Sequence, residues 1–320
     1  MAKKVGIITS GGDAPGMNAA VRAVTRYGTS LGYQMIGIRR GFKGLLDDEF
    51  LTLTLRSVSG IINAGGTMLH TGRCPEIKTE TGMNRAVKTI KDLGLEGLII
   101  IGGDGSLAAG NALSKRGVKV INIPASIDND IYGTDETIGY DTALNTAVEA
   151  IDKIRDTATS HDRIFVVEVM GREHGFLTLD VGLAAGCEFI VVPEMKFDIK
   201  KLAEELTKGK DRGKTSEIIA FAEGCGSSAE FAKKIGKMTG LEVRVSNLGY
   251  IQRGGRPTAR TRILASKFGY AAMHLFHKKN YNRLVGLAKG EISSIPVSQA
   301  IKHEKKFNEK VLKVLRSLSV

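Results

Sequence analysis

Three carboxylates occupy the stretches of this chain where chemistry is easiest to place. Asp104 sits in Gly102-Gly103-Asp104-Gly105-Ser106, and Asp128 and Asp130 sit in Pro124-Ala125-Ser126-Ile127-Asp128-Asn129-Asp130. Apolar runs at 98–101 and 118–123 precede the two segments, and a helix-compatible stretch, 107–116, lies between them. Glycines let the backbone approach an anion closely. A helix N-terminus after the first loop offers unpaired N–H groups to phosphate, and carboxylates suit a hard cation or a proton transfer. Together these features point to phosphoryl transfer.

Further anion-ready loops follow other strand-like runs. Gly11-Gly12 comes after the apolar run 5–9, and on spacing alone it reads equally well as a tight βα turn or a phosphate loop. Pro15 suits the first turn of the helix that follows. Arg22 and Arg26, four apart, share one face of that helix, which by itself reads as solvated. Arg73, beside Gly72 in the glycine loop 63–75, is placed to reach a transferring phosphate. The run 164–169 opens into Met170-Gly171-Arg172-Glu173-His174-Gly175, and a basic glycine loop spans 249–257. His70 has no Ser, Cys or metal partner in sequence and reads as structural, while His174, a candidate base beside Glu173, reads as a surface or capping residue.

The elements that must position these loops alternate strand, helix and glycine turn, with strands expected at 5–9, 34–38, 98–101, 118–123, 164–169, 189–193, 218–222 and 243–245. Helices are expected after Pro15 to about 27, and at 107–116, 138–159, 199–206, 229–238 and 261–276. That alternation is an α/β chain, and in an open parallel sheet ligands bind beyond the carboxyl ends of the strands. At 320 residues with 39 glycines and no triplet period, collagen and disorder are excluded. The 46 basic against 34 acidic residues give +12, with many arginines beside glycine turns. With 6% aromatic residues, no Trp and no recognisable motif, a nucleic-acid binder is not expected. Cys74, Cys187 and Cys225 lack metal-ligand spacing and read as reduced thiols. No signal peptide, lipidation site or long apolar span is visible, so a cytoplasmic location without membrane contact is expected. Phe307, Val311, Leu315 and Leu318 form one stripe of an expected closing amphipathic helix.

Gly11-Gly12-Asp13-Ala14-Pro15-Gly16-Met17-Asn18, Gly102-Gly103-Asp104-Gly105-Ser106, the segment 124–131, Met170-Gly171-Arg172 and the segment 249–255 resemble, in collinear order over nearly the whole chain, the bacterial ATP-dependent 6-phosphofructokinase family. Gly-Gly-Asp-Gly alone is shared with other kinases; five motifs in order are not. The resemblance implies two α/β lobes, each a mainly parallel sheet flanked by helices, with the active site in the cleft between them. One lobe, 1–139 with 252–302, would bind nucleotide; the other, 140–251 with 303–320, would bind sugar phosphate and effectors. The implied reaction is phosphoryl transfer from MgATP to the 1-hydroxyl of fructose 6-phosphate, a step of glycolysis.

By the same resemblance Asp128 is the base, and Asp104 and Asp130 hold Mg²⁺ largely through water. Gly12 and Arg73 meet the terminal phosphates of ATP, with Cys74, Gly103, Gly105 and Ser106 completing the nucleotide site. Ser126 bonds the phosphoryl group in flight and Arg172 neutralises its charge. Met170, Gly171, Glu223, Tyr250 and Arg253 frame the sugar phosphate alongside Asp130, and Arg163 and Arg244 reach its phosphate from a neighbouring subunit of a homotetramer. Gly105 and Ala125 stand where pyrophosphate-dependent relatives carry Asp and Lys, which favours ATP. Tyr250 replaces the family's usual His and Ser126 its Thr. Arg22, Arg26, Arg155, Glu188, Arg212 and Lys214 match or conservatively replace an effector pocket for ADP or phosphoenolpyruvate, but Leu55 and Gly60 replace an Arg and an Asp there. The alternatives are a pyrophosphate-dependent or altered-specificity sugar-phosphate kinase and a catalytically silent nucleotide-binding regulator.

Overall fold

Strands that are apolar on both faces need helices on both sides of their sheet, and the structure supplies them. It is a computed structural model that describes residues 2–307, 311, 314 and 317. The chain divides into two units, Met1–Thr142 with Arg253–Lys305 and Ala143–Gln252 with Lys306–Val320.

The first unit begins with β1 (Lys4–Ser10), α1 (Met17–Ser30), β2 (Gln34–Ile38), α2 (Phe42–Leu46), β3 (Phe50–Leu53), α3 (Glu80–Asp92), β4 (Leu95–Gly102), α4 (Asp104–Ser114), β5 (Val120–Ser126) and β6 (Ile138–Gly139). After α5 (Tyr140–Ser160), the second unit holds β7 (Ile164–Val169), α6 (Phe176–Ala184), β8 (Phe189–Val191), α7 (Ile199–Asp211), β9 (Glu217–Ala222), α8 (Ser228–Thr239) and β10 (Val243–Asn247). The chain then returns to the first unit as α9 (Ala259–His277), β11 (Arg283–Ala288), β12 (Glu291–Pro296) and α10 (Val297–Ala300).

The first sheet runs β12-β11-β5-β4-β1-β2-β3, with β6 paired to β5. Its centre is parallel, while β2–β3 and β11–β12 are antiparallel. Val5, Ile7, Ile8, Leu98, Ile99, Ile101, Val120, Ile121 and Ile123 are all fully buried. Each additional buried methylene in such a core stabilises by about 0.8 kcal/mol. The second sheet, β10-β7-β9-β8, is wholly parallel. Ile164, Val166, Ile219 and Phe221 pack under Leu206, Phe231 and Ile235 from α7 and α8. Asp198 and Ser227 cap those helices, accepting from the Lys200 and Lys201 N–H groups and from that of Glu230.

The strand at 34–38 and that at 164–169 stand where the pattern puts them. Other boundaries move for local reasons. The expected strand 189–193 ends at Val191, because Pro193 lacks the ladder donor. Pro124, Ala125 and Ser126 belong to β5 and not to the loop. Helix α4 starts at Asp104, where a carboxylate favours a helix N-terminus. Ile138 and Gly139 pair with β5 as the short strand β6, and Gly139, at φ 103°, turns the chain into α5, so that helix begins at Tyr140. Helices α3 and α6 and strands β3, β11 and β12 were not among the expected elements; α6 shows no helical stripe, whereas in α3 Met83, Ala86 and Ile90 do recur at helical spacing on one buried face. The proposed closing stripe lies, at Leu315 and Leu318, outside the described residues; Phe307 sets its ring 5.6 Å from that of Phe176. Among the described residues no helix is long and apolar enough to cross a membrane.

Candidate active site

In the first sheet the chain runs outward from β1 to β2 and then returns to place β4 on the other side of β1. That reversal is a topological switch point, where an open α/β sheet leaves a crevice at its carboxyl end. Register brings the strand ends together: Ser10 pairs with Gly102, and Gly102 with Pro124. The loop from Gly11, the α4 N-terminus at Gly103-Asp104 and the loop carrying Asp128 and Asp130 are therefore neighbours. Gly102 is required by the close strand approach, because a Cβ there would stand 2.4 Å from the Ser10 carbonyl.

Each loop is tied down by polar side chains that sequence reasoning passed over. Thr9, fully buried in β1, donates to the His70 carbonyl at 2.9 Å and pairs with the Thr67 hydroxyl at 2.9 Å. Asn18 Nδ2 donates to the carbonyls of Ala64 and Gly65 at 3.1 Å, and its Oδ1 accepts from Met68 N–H at 2.6 Å. Thr71 Oγ1 donates to the Gly11 carbonyl at 2.7 Å, which brings the loop bearing Arg73 and Cys74 beside the first glycine turn. The available signal was a polar residue inside an apolar strand (Thr9) or on the buried face of a helix (Asn18). Arg253, assigned by resemblance to the sugar, donates from Nη2 to Asp13 Oδ1 at 2.8 Å and lies against Gly12, whose added Cβ would stand 2.6 Å from it.

Asn129 organises the acidic loop. It holds a left-handed backbone, φ 54°, between the two aspartates. Its Nδ2 donates to the Asp135 carbonyl at 3.2 Å and its Oδ1 accepts from Thr137 N–H at 3.1 Å. Thr137 Oγ1 in turn donates to the Ser126 carbonyl at 2.5 Å, and Ser126 Oγ accepts from Asp128 N–H at 3.2 Å. Asp128 is 5% exposed. Asp130 Oδ1 and Ser106 Oγ are buried with no hydrogen-bond partner. A buried acceptor left unmade costs about 1–3 kcal/mol, so both atoms are suited to a group that arrives from outside. Among the described residues no cluster of three or more His, Cys, Asp or Glu could hold a metal. Two aspartates with an orphaned oxygen fit a hard ion that keeps most of its water, and do not fit a closed cage.

In the second unit, Met170, Gly171 and Arg172 follow the carboxyl end of β7, and Glu223 follows that of β9. Glu223 Oε2 accepts from the N–H groups of Gly171 and Arg172 at 3.3 and 3.2 Å. Tyr250, 78% exposed, sits in a short 3-10 helix after β10. Arg163 and Arg244 stand at the opposite, amino end of the same strands, about 20 Å away across the length of β7. One chain does not bring them to Arg172. Both instead meet Glu242, Arg163 Nε at 3.1 Å and Arg244 through Nη2. Arg163 first, then Arg244, holds that carboxyl below its ordinary value against the effect of desolvation.

The expected effector residues are distributed over both units, Arg22 and Arg26 on α1 and the others in the second. Arg155 pairs with Glu188 Oε1 at 3.1 Å and donates to the carbonyls of Ala185 and Gly186. Glu188 Oε2 accepts from Ile218 N–H at 2.7 Å. Arg212 donates to the Lys208 carbonyl, and Lys214 lies 3.9 Å from Glu217. Burial pushes the Cys187 and Cys225 thiols up to about 12 and about 11, which makes them poor nucleophiles.

The family model described as Phosphofructokinase matches residues 4–276. An ATP-dependent 6-phosphofructokinase of Clostridium tetani is 50% identical over 317 residues, covering 99% of each chain. A second, from Halothermothrix orenii, is 48% identical over 331 residues, covering 99% of this chain and all of that one. Among solved structures, Pichia pastoris phosphofructokinase in the T-state superimposes on the whole of this chain with a TM-score of 0.89 and 32% identity. This chain spans 39% of that protein's length.

Proposed function

Because this chain belongs to the phosphofructokinase family, we propose that it transfers the terminal phosphoryl group of ATP to the 1-hydroxyl of fructose 6-phosphate, giving fructose 1,6-bisphosphate and ADP. The observation that carries the reading is the meeting, at the carboxyl ends of β1, β4 and β5, of a glycine turn, a helix N-terminus and the Asp128/Asp130 loop with its orphaned Asp130 Oδ1. In this reading Asp128 removes the hydroxyl proton as the oxygen attacks. Ser126 donates to the phosphoryl oxygens, Gly12 and Arg73 steady the terminal phosphates, and Arg172 offsets charge developing between donor and acceptor. Catalysis is then positioning and electrostatic stabilisation. Asp104 and Asp130 would hold Mg²⁺, which when bound neutralises phosphate charge.

Gly103, Gly105, Ser106 and Cys74 complete the nucleotide site. Gly105 supports ATP over pyrophosphate, since a Cβ added there meets nothing within 4 Å and the space admits an α-phosphate. Ala125, 2% exposed, presents no ammonium to pyrophosphate. Met170, Gly171, Glu223, Tyr250 and Arg253 would frame the sugar. Arg163 and Arg244 would serve a neighbouring subunit's site, which is the reason to propose an oligomer, a homotetramer by family resemblance, and the location proposed is cytoplasmic. Arg22, Arg26, Arg155, Glu188, Arg212 and Lys214 would form the ADP or phosphoenolpyruvate site.

The test is a steady-state assay with fructose 6-phosphate and Mg²⁺ against ATP, GTP and pyrophosphate in turn. Turnover with ATP and little with pyrophosphate is expected. Comparable turnover with pyrophosphate overturns the donor assignment, and no turnover with any donor makes the chain a silent nucleotide binder.

A further inference from the structure

The loop that carries Arg172 is gripped from two sides by carboxylates on different strand ends. Arg172 itself has φ 53°. A bulky side chain in the left-handed region is costly and persists only where its surroundings impose it. From the β9 side, Glu223 Oε2 takes the N–H groups of Gly171 and Arg172, and Gly224 packs so closely that a Cβ would stand 2.5 Å from the Arg172 carbonyl. His174 N–H closes the turn on the Gly171 carbonyl at 2.9 Å. From the β8 side, Glu194 Oε1 accepts from Gly175 N–H at 2.8 Å and lies 3.6 Å from His174 Nδ1, with its side chain 18% exposed. Gly175 leaves no room for a side chain: a Cβ there would stand 2.5 Å from Val192.

We infer that Glu194 is a positioning residue for phosphoryl transfer: by holding Gly175 N–H it sets the downstream anchor of the turn that presents Arg172. The inference rests on the role given to Arg172 above. A hydrogen bond to an ionised carboxylate is about twice as strong as a neutral one, and Gly175 is the residue at which the loop enters α6. Releasing it frees one end of a strained turn whose other end Glu223 still holds. A displacement near 1 Å of a transition-state group costs roughly 10²-fold in rate.

The test is a double-mutant cycle on the intact enzyme, reading kcat, KM for both substrates and thermal melting. Glu194→Ala should lower kcat about 10–100-fold with KM for ATP nearly unchanged. Glu194→Asp, which keeps the charge but withdraws the oxygen by one methylene, should reproduce most of the loss. Glu194→Gln, whose amide oxygen can still accept from Gly175, should recover most of the rate. In an Arg172→Ala background, Glu194→Ala should cost less than about threefold, because the group it positions is gone. Full additivity with Arg172→Ala, or a lowered melting temperature with parental kcat, makes Glu194 a helix-capping residue and overturns the inference. Failure of the Gln variant to recover activity overturns it as well. Near-parental kcat in Arg172→Ala alone would instead sink the reading on which it rests.

Discussion

Replacing Glu217 by Gln should stabilise the protein in a strictly pH-dependent way. Glu217 opens β9 with its side chain 6% exposed, packed so that a Cβ on Gly209 would stand 2.7 Å from its Oε1. Lys214 Nζ is 3.9 Å away and, with Arg212, favours the charged form, while Glu188 opposes it. Burial outweighs these and pushes the carboxyl from 4.5 up to about 7. A raised carboxyl binds its proton more tightly folded than unfolded. Its contribution is therefore fullest below about pH 4.5 and is lost as pH rises to about 7. At 1.36 kcal/mol per pKa unit, that loss is at most about 3 kcal/mol. Glutamine keeps the shape without the charge. Thermal melts should show parent and Glu217→Gln close together at pH 4.5 and the variant higher at pH 8, by up to about 6–12 °C, taking 2–4 °C per kcal/mol. Lys214→Met, which removes the nearest cation, should lower the pH 8 melting point of the parent but not of Glu217→Gln. An equal difference at both pH values, or a variant less stable at pH 8, would refute the assignment of a buried charge.

Asp128→Asn should retain the fold and ATP binding while kcat falls by roughly 10²–10⁴-fold, the range for losing a positioned base; a near-normal kcat would place the base elsewhere. Tyr250→His should change KM for fructose 6-phosphate more than KM for ATP, because an imidazole can carry a charge that a phenol cannot at neutral pH; unchanged values would remove Tyr250 from the sugar site. Gly102→Ala should destabilise by about 1–3 kcal/mol in urea titrations, since the methyl group drives into the β1 backbone; a neutral result would show that β1 and β4 can separate. The response to ADP or phosphoenolpyruvate should be weak, because Leu55, 46% exposed, and Gly60 bring no charge to the proposed pocket. Coupling energies of about 1–3 kcal/mol rest on few contacts, so a strongly sigmoidal sugar titration in phosphoenolpyruvate, abolished by ADP, would refute this.

The α/β class, the strands β1, β2, β4, β7 and β9 and the family were legible in the amino-acid order, because each depends on residues close together in the chain. Short continuous apolar runs suit strands covered on both faces, and their alternation with helical segments and glycine-rich turns points to a parallel sheet. The edge strands β3 and β12 were not legible, since Phe50–Leu53 and Glu291–Pro296 are partly exposed and lose the apolar run. The short helix α6 is buried nearly all round and so shows no helical stripe. What the tertiary structure alone decided is how the candidate residues are held. Ser10, Gly102 and Pro124 become neighbours only through β-sheet register. Asn18 finds its acceptors 46 and 47 residues away, and Glu223 reaches the Arg172 backbone across 51. Arg163 and Arg172, nine positions apart, end at opposite ends of β7. Side-chain hydrogen bonds of this kind follow distances in space, and a linear pattern records only distances along the chain.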